Sequence, residues 1–563
     1  MPAVEGPLLL LWLLLRGHLW LSLPTVAAPS ERRVGGRREV ADPYRTWLRL
    51  PLSVVVAVYP RGPQRIASTP VREPVERVVE RVGAPLAIAA GAVVLRLLAG
   101  VGFANYDTLY ALAWGGQLSR GQTPAYGVAI APTPHPLVEA LGVVLSPLGP
   151  NAIEDVAVAL GFLALSACGW VLYRLGSEWF GRAAGALAAL ILLTRVPVLS
   201  YGARAYVDIP YLLFVLAALL VESRRRAHGN PPAGAPVLVL LALAGLLRPE
   251  AWAFSGLYWV YVCVYELRRA RARPRARPNR STSMRLAALA LLTAAAPLAW
   301  VASDWLITGH PLWSLTNTRH TAHTLGRITG AGNIPQYIPR RIGEILRPPV
   351  LAGAALGGAL SLLWLRRRAL LGATAGAIAV VVFAVFAAAG LPINTRYAFL
   401  ASAILCVFCG AGAFGWTRLA RADPRRRWWM AGGAVVLGAL AISAPAQYRS
   451  AHRELDKLAR QQSIQNDLLA LVREHAITLR CGPVGVPNHA PVPLLALHLK
   501  TSPANVVSAQ NEQVSSGVYV DPASMEVEED YVLDPLDPHL PVTVPPGFTE
   551  TRANRSWLIF QRC

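Results

Sequence analysis

"FANYDTLYALAWGGQLSRGQTPAY", residues 103–126, follows directly on an apolar run, residues 84–102, long enough to cross a bilayer. A span needs roughly 20 mostly apolar residues. The chain leaving lipid here at once presents an aspartate, Asp107, among tyrosines and a tryptophan. A solvated connection has no need of that combination; a site working at the membrane face does. Residues 108–119 can form an amphipathic helix lying along the interface, with Tyr110 and Trp114 at the depth where polar-tipped rings are enriched. Gly121 is a natural stop for it. Asp107 is then either a catalytic carboxylate or a plain cap for the first amides, and spacing alone leaves both open.

Outward from this stretch, the 563-residue chain is 54% hydrophobic and 15% charged, too apolar for a soluble enzyme of its size. Long alanine, leucine and valine runs favour helices over barrel strands, because spanning helices satisfy their own backbone polar groups. The expected fold class is an all-α polytopic membrane protein of about eleven transmembrane helices, with a small C-terminal α/β domain outside the cytoplasm. Residues 1–82 read as a basic, partly disordered extension. Residues 83–446 form the membrane domain, with spans at 84–102, 156–175, 183–200 and 209–221. The run 235–265 is broken by "LRPEAW" and reads as a hairpin with Arg248, Pro249 and Glu250 at its turn. Further spans follow at 285–303, 350–365, 370–389, 398–416 and 429–446, leaving long external loops at 103–151 and 304–347. Residues 447–563 form the tail domain: a helix over 449–475, then strand-like runs "PVGVP", "ANVVSA", "GVYV" and "SWLIFQ".

The net charge of +22 does not point to nucleic acid, because the arginines sit in short clusters between apolar runs. Residues 223–226, 268–280, 366–368 and 418–427 all fall on one side of this topology. That is the pattern of cytoplasmic loops, and it places the protein in the cytoplasmic membrane with its tail outside. One external loop breaks the pattern. Residues 304–347 hold Arg319, Arg327, Arg340, Arg341 and Arg347, with His310, His320 and His323, against Asp304 and Glu344. Guanidinium forks match phosphate oxygens, so a bound anionic phosphate accounts for them; a solvated loop touching anionic lipid is the plainer alternative.

Cys168, Cys263, Cys406 and Cys409 lie in apolar spans and read as small core residues. Cys481 and Cys563 lie in the tail and can form a disulfide if it is outside. His320 and His323 have a metal-compatible spacing but no carboxylate pair near in sequence, so a divalent metal is compatible with the residues but not indicated.

The stretch "LRLLAGVGFANYDTLYALAWGGQLSRGQTPAY", followed by "PTPHPLVEALGVVLSPLG", resembles the start of the GT-C glycosyltransferases. These include the protein O-mannosyltransferases, the lipid A aminoarabinose transferases and related bacterial polyprenyl-phosphate-sugar enzymes. "SYGARAYVDIPYLLF" is similar to the family's second acidic segment, "ALAGLLRPEAW" to its broken helices, "DWLITGHPLWSLTNT" to a later external loop and "INTRYAFLASAIL" to an Arg-Tyr helix entry. Two positions depart from the pattern. Thr108 stands where a second acidic residue is frequent, and His135, in the Pro-rich turn, where a lysine is frequent.

The resemblance implies transfer of a sugar from a polyprenyl-phosphate donor to a cell-envelope glycan, lipid or protein on the external face. Asp107 is then the general base. Arg204, Arg396, His135, Arg248 and Tyr397 are the expected phosphate and donor contacts. Asp208 is expected to orient the acceptor, or to hold Arg204 four positions earlier on a shared helical face. A transporter or flippase of lipid-linked sugars, and a non-catalytic envelope scaffold, are the competing classes. Transporters place ionisable residues near the midplane, often in internal repeats, whereas the charges here gather at external helix ends.

Overall fold

A computed structural model describes residues 74–272, 280–532 and 543–563. The extension expected over 1–82 lies outside the described residues, except that helix α1 (Pro74–Ala99) begins within it. The basic stretch 268–280 also falls partly outside.

Every apolar run read as a span is helical. After α1, the segment 103–151 carries two short helices, α2 (Tyr106–Ser119) and α3 (Pro136–Leu145). The long α4 (Pro150–Phe180) precedes a broken span, α5 (Arg182–Leu193) and α6 (Val196–Ala203), bent by 65°. Helix α7 (Asp208–Ala227) leads to the expected hairpin, α8 (Ala235–Leu247) and α9 (Glu250–Arg271). Then come α10 (Arg280–Thr308), α11 (Trp313–Thr324), α12 (Ile334–Trp364), α13 (Arg366–Ala388) and α14 (Phe399–Phe414). Six described helices are long and apolar enough to cross a membrane, or seven if the bent pair is one span. The other expected spans are shorter or less apolar helices, among them α7, α8 and α9.

Breaks inside an apolar bundle free backbone groups that need partners. Arg195, buried at the α5–α6 break, donates from Nε to the Ile191 carbonyl at 3.1 Å and from Nη1 to that of Leu346 at 3.3 Å. Leu346 adjoins a second break, where Arg347 takes a φ of 64° inside α12. Helix α14 is apolar on every face and almost wholly enclosed by its neighbours, as that composition requires. Its backbone crosses α12 in direct contact: a Cβ on Gly357 would strike the Phe408 carbonyl. Small residues at such crossings let helices pack closely where lipid supplies no hydrophobic drive.

Two expectations are corrected. The segment 304–347 is not an open loop but largely helix. Asp304, buried, accepts from the Ser314 amide at 2.8 Å and from its hydroxyl at 2.7 Å. That fold-back starts α11 and presses it against the bundle. The boundary expected between 446 and 447 falls inside a single helix, α15 (Arg425–Arg473), of 49 residues. The last span and the tail helix are continuous, and residues 84–563 form one compact unit.

Beyond α15 lies a five-stranded sheet of order β2-β1-β3-β5-β4. Strand β1 (Val484–Val486) pairs in parallel with β2 (Val506–Ser508) on one side and β3 (Gly517–Pro522) on the other. Strands β4 (Thr549–Ala553) and β5 (Trp557–Arg562) complete it in antiparallel fashion. Helix α16 (Val492–His498) connects β1 to β2. A disulfide joins Cys481 to Cys563, the Cα atoms 5.0 Å apart.

Candidate active site

The start of α2 decides what Asp107 is free to do. Asn105, not Asp107, caps this helix: its Oδ1 accepts from the amides of Asp107 at 2.8 Å and Thr108 at 3.3 Å. Asparagine is among the best capping residues. Asn105 is pinned in turn. Its Nδ2 donates to the Arg204 carbonyl at 3.0 Å and to the Thr108 hydroxyl at 2.9 Å, and that hydroxyl donates to the Ala205 carbonyl at 2.8 Å. Thr108, where relatives of the resembled family often carry an acid, is therefore a buried bolt between two segments. The plain-cap reading of Asp107 does not hold, and its carboxylate is left for other work.

Asp107 Oδ2 accepts a 2.6 Å hydrogen bond from Arg396 Nη1, across 289 residues of sequence. Burial pushes the carboxyl up, but the charge and hydrogen bond of Arg396 outweigh it and hold Asp107 below its usual value. His135 precedes α3; its Nδ1 is 2.8 Å from the Leu247 carbonyl, so Nδ1 carries a proton and donates. Burial pushes this imidazole down to about 4, leaving it neutral at pH 7. Arg248, at the hairpin turn, is buried between two carboxylates. It donates to Glu250 Oε1 from Nη2 at 2.7 Å and pairs with Asp208 from Nη1. Its guanidinium lies 4.4 Å from the centre of the Tyr397 ring.

These groups open onto a cavity of about 690 Å³. Asp107 is its only lining carboxylate among the described residues, facing five arginines: Arg248, Arg319, Arg327, Arg341 and Arg396. Arg341 is shared with Glu344 at 2.9 Å, whereas Arg319 makes no ion pair among the described residues. Val385, Phe386, Leu315 and Leu325 give the same cavity an apolar flank. Such a space holds an anion beside an apolar chain. No group of three or more His, Cys, Asp or Glu side chains gathers among the described residues to hold a metal.

Asp107, His135, Arg248, Arg396 and Tyr397 thus come together, as the sequence reading expects. Arg204 and Asp208 do not join them as expected. Arg204 is not on the cavity wall. It stacks on Tyr206 at 4.9 Å and Tyr201 at 5.5 Å and donates to the Ser200 hydroxyl at 3.0 Å. The i,i+4 pairing with Asp208 fails because Ala205, at φ 51°, breaks the helix between them. Asp208 holds Arg248 instead and is almost wholly buried behind it. Tyr110 and Trp114 are also corrected: both are fully buried rather than interfacial. Helix α2 is covered by α3 and by α16 of the tail; Trp114 packs against Tyr110 in a tilted contact at 5.1 Å and edge-on against Tyr126, beyond the helix, at 4.8 Å. Arg319, Arg327 and Arg341 reach the cavity from the basic segment, while Arg340 turns outward to Glu344. His489, from the tail, also lines it, and no local pattern in the sequence announces that.

The cavity and the basic clusters occupy opposite ends of the same helices. Helix α7 starts at Asp208 and ends in Arg224–Arg226; α9 starts at Glu250 and ends in Arg268–Arg271. Helix α13 starts at Arg366–Arg368 and reaches the cavity with Val385 and Phe386.

No protein-family model matches the sequence, and no curated protein matches it. Among solved structures, the chain is similar to ArnT from Cupriavidus metallidurans bound to undecaprenyl phosphate, with a TM-score of 0.51 and 15% identity over 87% of this chain and 98% of that one. It is similar also to ArnT from the same organism in the apo state, with a TM-score of 0.52 and 14% identity over 85% and 98% of the two chains. At that identity the likeness shows the fold alone: this chain is an ArnT-like polytopic helical bundle.

Proposed function

We propose that this protein is a membrane glycosyltransferase of GT-C type. It moves a sugar from a polyprenyl-phosphate donor to a cell-envelope acceptor on the external face of the cytoplasmic membrane. The observation that carries this reading is a single uncapped carboxylate, Asp107, facing a wall of arginines beside an apolar flank. The ArnT structure described as bound to undecaprenyl phosphate supports a lipid-linked donor. The cavity's position, at the helix ends away from the arginine clusters, supports the external face. The Cys481–Cys563 disulfide supports an extracytoplasmic tail, since disulfides persist in oxidising compartments.

In this mechanism the donor phosphate lies among Arg396, Arg319 and Arg248, with the prenyl chain along the apolar flank. Arg396 is the pivot. Without donor it neutralises Asp107; a phosphate competes for the same guanidinium and draws it off. Losing that cation raises the basicity of Asp107. The acceptor hydroxyl then attacks the anomeric carbon. Its proton passes to Asp107, the new carbon–oxygen bond forms, and the bond to phosphate breaks with its electron pair leaving on polyprenyl phosphate. Arginines preorganised around the departing phosphate stabilise that charge where it develops. Neutral His135 can contact phosphate only after Nε2 gains a proton, which a bound anion favours. Asp208 and Glu250 keep Arg248 aimed and charged.

The test is incubation of purified protein with a panel of radiolabelled polyprenyl-phosphate sugars and envelope extract. Label moving from lipid to an envelope acceptor is the expected result. Uptake or flipping in liposomes with no glycosyl transfer overturns the reading in favour of a transporter.

A further inference from the structure

The tail sheet has a topological switch beside β1. From β1 the chain runs through α16 to β2 on one side; β3 then crosses to the other side of β1. In open sheets with parallel strands, ligands bind outside the carboxyl ends of the strands at such a point. The segment leaving the carboxyl end of β1 is "PNHAP", residues 487–491. Asn488 is fully buried, accepts from the Ala490 amide at 2.9 Å and donates to the Val532 carbonyl. Held between two prolines by that turn, His489 projects from the tail onto the wall of the Asp107 cavity. There its ring meets the Tyr106 ring edge-on, 5.4 Å between centroids. Tyr106 is fixed by its own hydroxyl, which donates to the Ile130 carbonyl at 3.0 Å, and it lines the same cavity wall as Asp107.

The tail is fastened to the loop that carries Asp107, not merely near it. Gln462 exchanges hydrogen bonds with both backbone groups of Gly102, at 2.8 and 3.3 Å. Glu154 accepts from the Ala104 amide at 3.1 Å and meets His498 at 3.2 Å. Gln117 donates to the Ser502 hydroxyl at 3.2 Å. Three separate ties hold the β1 switch point in register with the cavity.

We propose that His489 and Tyr106 form the acceptor subsite, and that the acceptor is a saccharide. This deepens the glycosyltransferase reading and rests on it. A sugar offers an apolar face for the Tyr106 ring and hydroxyls for the His489 ring. The lipid donor is already served by the arginines and by the apolar flank. The tail is therefore an acceptor-binding module built into the active-site wall.

The experiment uses the full-length protein, a labelled polyprenyl-phosphate sugar and a graded series of water-soluble envelope polysaccharide. Binding of undecaprenyl phosphate is measured in parallel. In His489→Ala the polysaccharide concentration for half-maximal transfer rises about ten-fold, while undecaprenyl phosphate binds as in wild type. His489→Gln, which keeps a hydrogen-bonding amide, recovers part of the loss and stands in if the alanine variant does not fold. An unchanged half-maximal concentration in both variants overturns the subsite. So does wild-type label moving only to lipid or protein. Wild-type protein that neither binds undecaprenyl phosphate nor transfers label overturns the glycosyltransferase reading itself.

Discussion

Asp107→Asn separates chemistry from donor binding. The side chains are nearly isosteric, and the cap on α2 belongs to Asn105, so the variant folds. What it loses is the proton acceptor. A positioned base contributes about 10²–10⁴ in rate, equivalent to about 3–5 kcal/mol of barrier. The second effect runs the other way. In the free protein Arg396 is committed to Asp107 at 2.6 Å, and a phosphate must compete for it. With a neutral amide at 107 that competition is removed. The gross attraction of such a pair is a few kcal/mol, much of it offset by desolvation, so donor affinity holds or tightens, by at most roughly ten-fold. The assay pairs single-turnover transfer of labelled sugar with equilibrium binding of undecaprenyl phosphate to protein in detergent. Transfer down at least a hundred-fold with binding retained is the expected pair of results. Transfer within ten-fold of wild type removes Asp107 from the mechanism, and a parallel collapse of binding makes it a structural residue.

Three further outcomes follow from the same geometry. In the donor-free protein Arg396 holds the Asp107 carboxyl below its usual value, so kcat/KM, which reports the free enzyme, persists as pH falls through the ordinary carboxylate range and drops only below it. Arg396→Gln removes the cation, the carboxyl rises, and the acid limb of the kcat/KM profile moves to higher pH; a limb that stays put or moves down contradicts the assignment. Arg248→Met leaves Asp208 and Glu250 buried without their shared cation. Breaking a buried pair costs about 3–5 kcal/mol, read as a lowered thermal unfolding midpoint in detergent, while Glu250→Gln, which leaves the Asp208 contact, costs less. Finally, Cys563→Ser frees the Cys481 thiol; a membrane-impermeant maleimide labels it in intact cells if the tail is outside, and labels it only after lysis if the tail is cytoplasmic.

The helical class, the hairpin turn at Arg248 and the strand-like tail were legible because each rests on local pattern: apolar length, a proline between two apolar runs, short β-branched stretches. Strand β4, "TETRA", was not, because it is an exposed edge strand with no buried alternation to mark it. Helix α16 was missed for the opposite reason: seven residues, six of them buried, are too few to show a period. At the site, Asp107 was legible as a charge directly after an apolar run, where charge is costly without a role, whereas Arg396 and Arg248 came as phosphate contacts only with the family resemblance. Their partners were not legible. Spacing put Asp208 with Arg204, yet one left-handed residue, Ala205, rotates them apart, and Arg248 takes the carboxylate from 40 residues away. The depth of Tyr110 and Trp114 was misread because aromatic residues at a membrane edge look alike whether they face headgroups or a covering domain. Only the tail's return onto α2 decides that, and it is a contact of some 380 residues' separation.

Helix α15 has a mechanical meaning. At about 1.5 Å per residue its 49 residues run some 70 Å, against a hydrocarbon thickness of about 30 Å. More than half of it is a strut rather than a tether, so the sheet inherits both a height and an angular phase from the bundle. One residue inserted near Gln447 turns everything beyond it by about 100° and lifts it by about 1.5 Å. That swing carries Gln462 off Gly102 and the β1 corner off the cavity. Length and composition in the polar half of α15 are therefore as constrained as the apolar half, and a substrate too large to approach the bilayer cannot be reached by the domain bending outward to meet it.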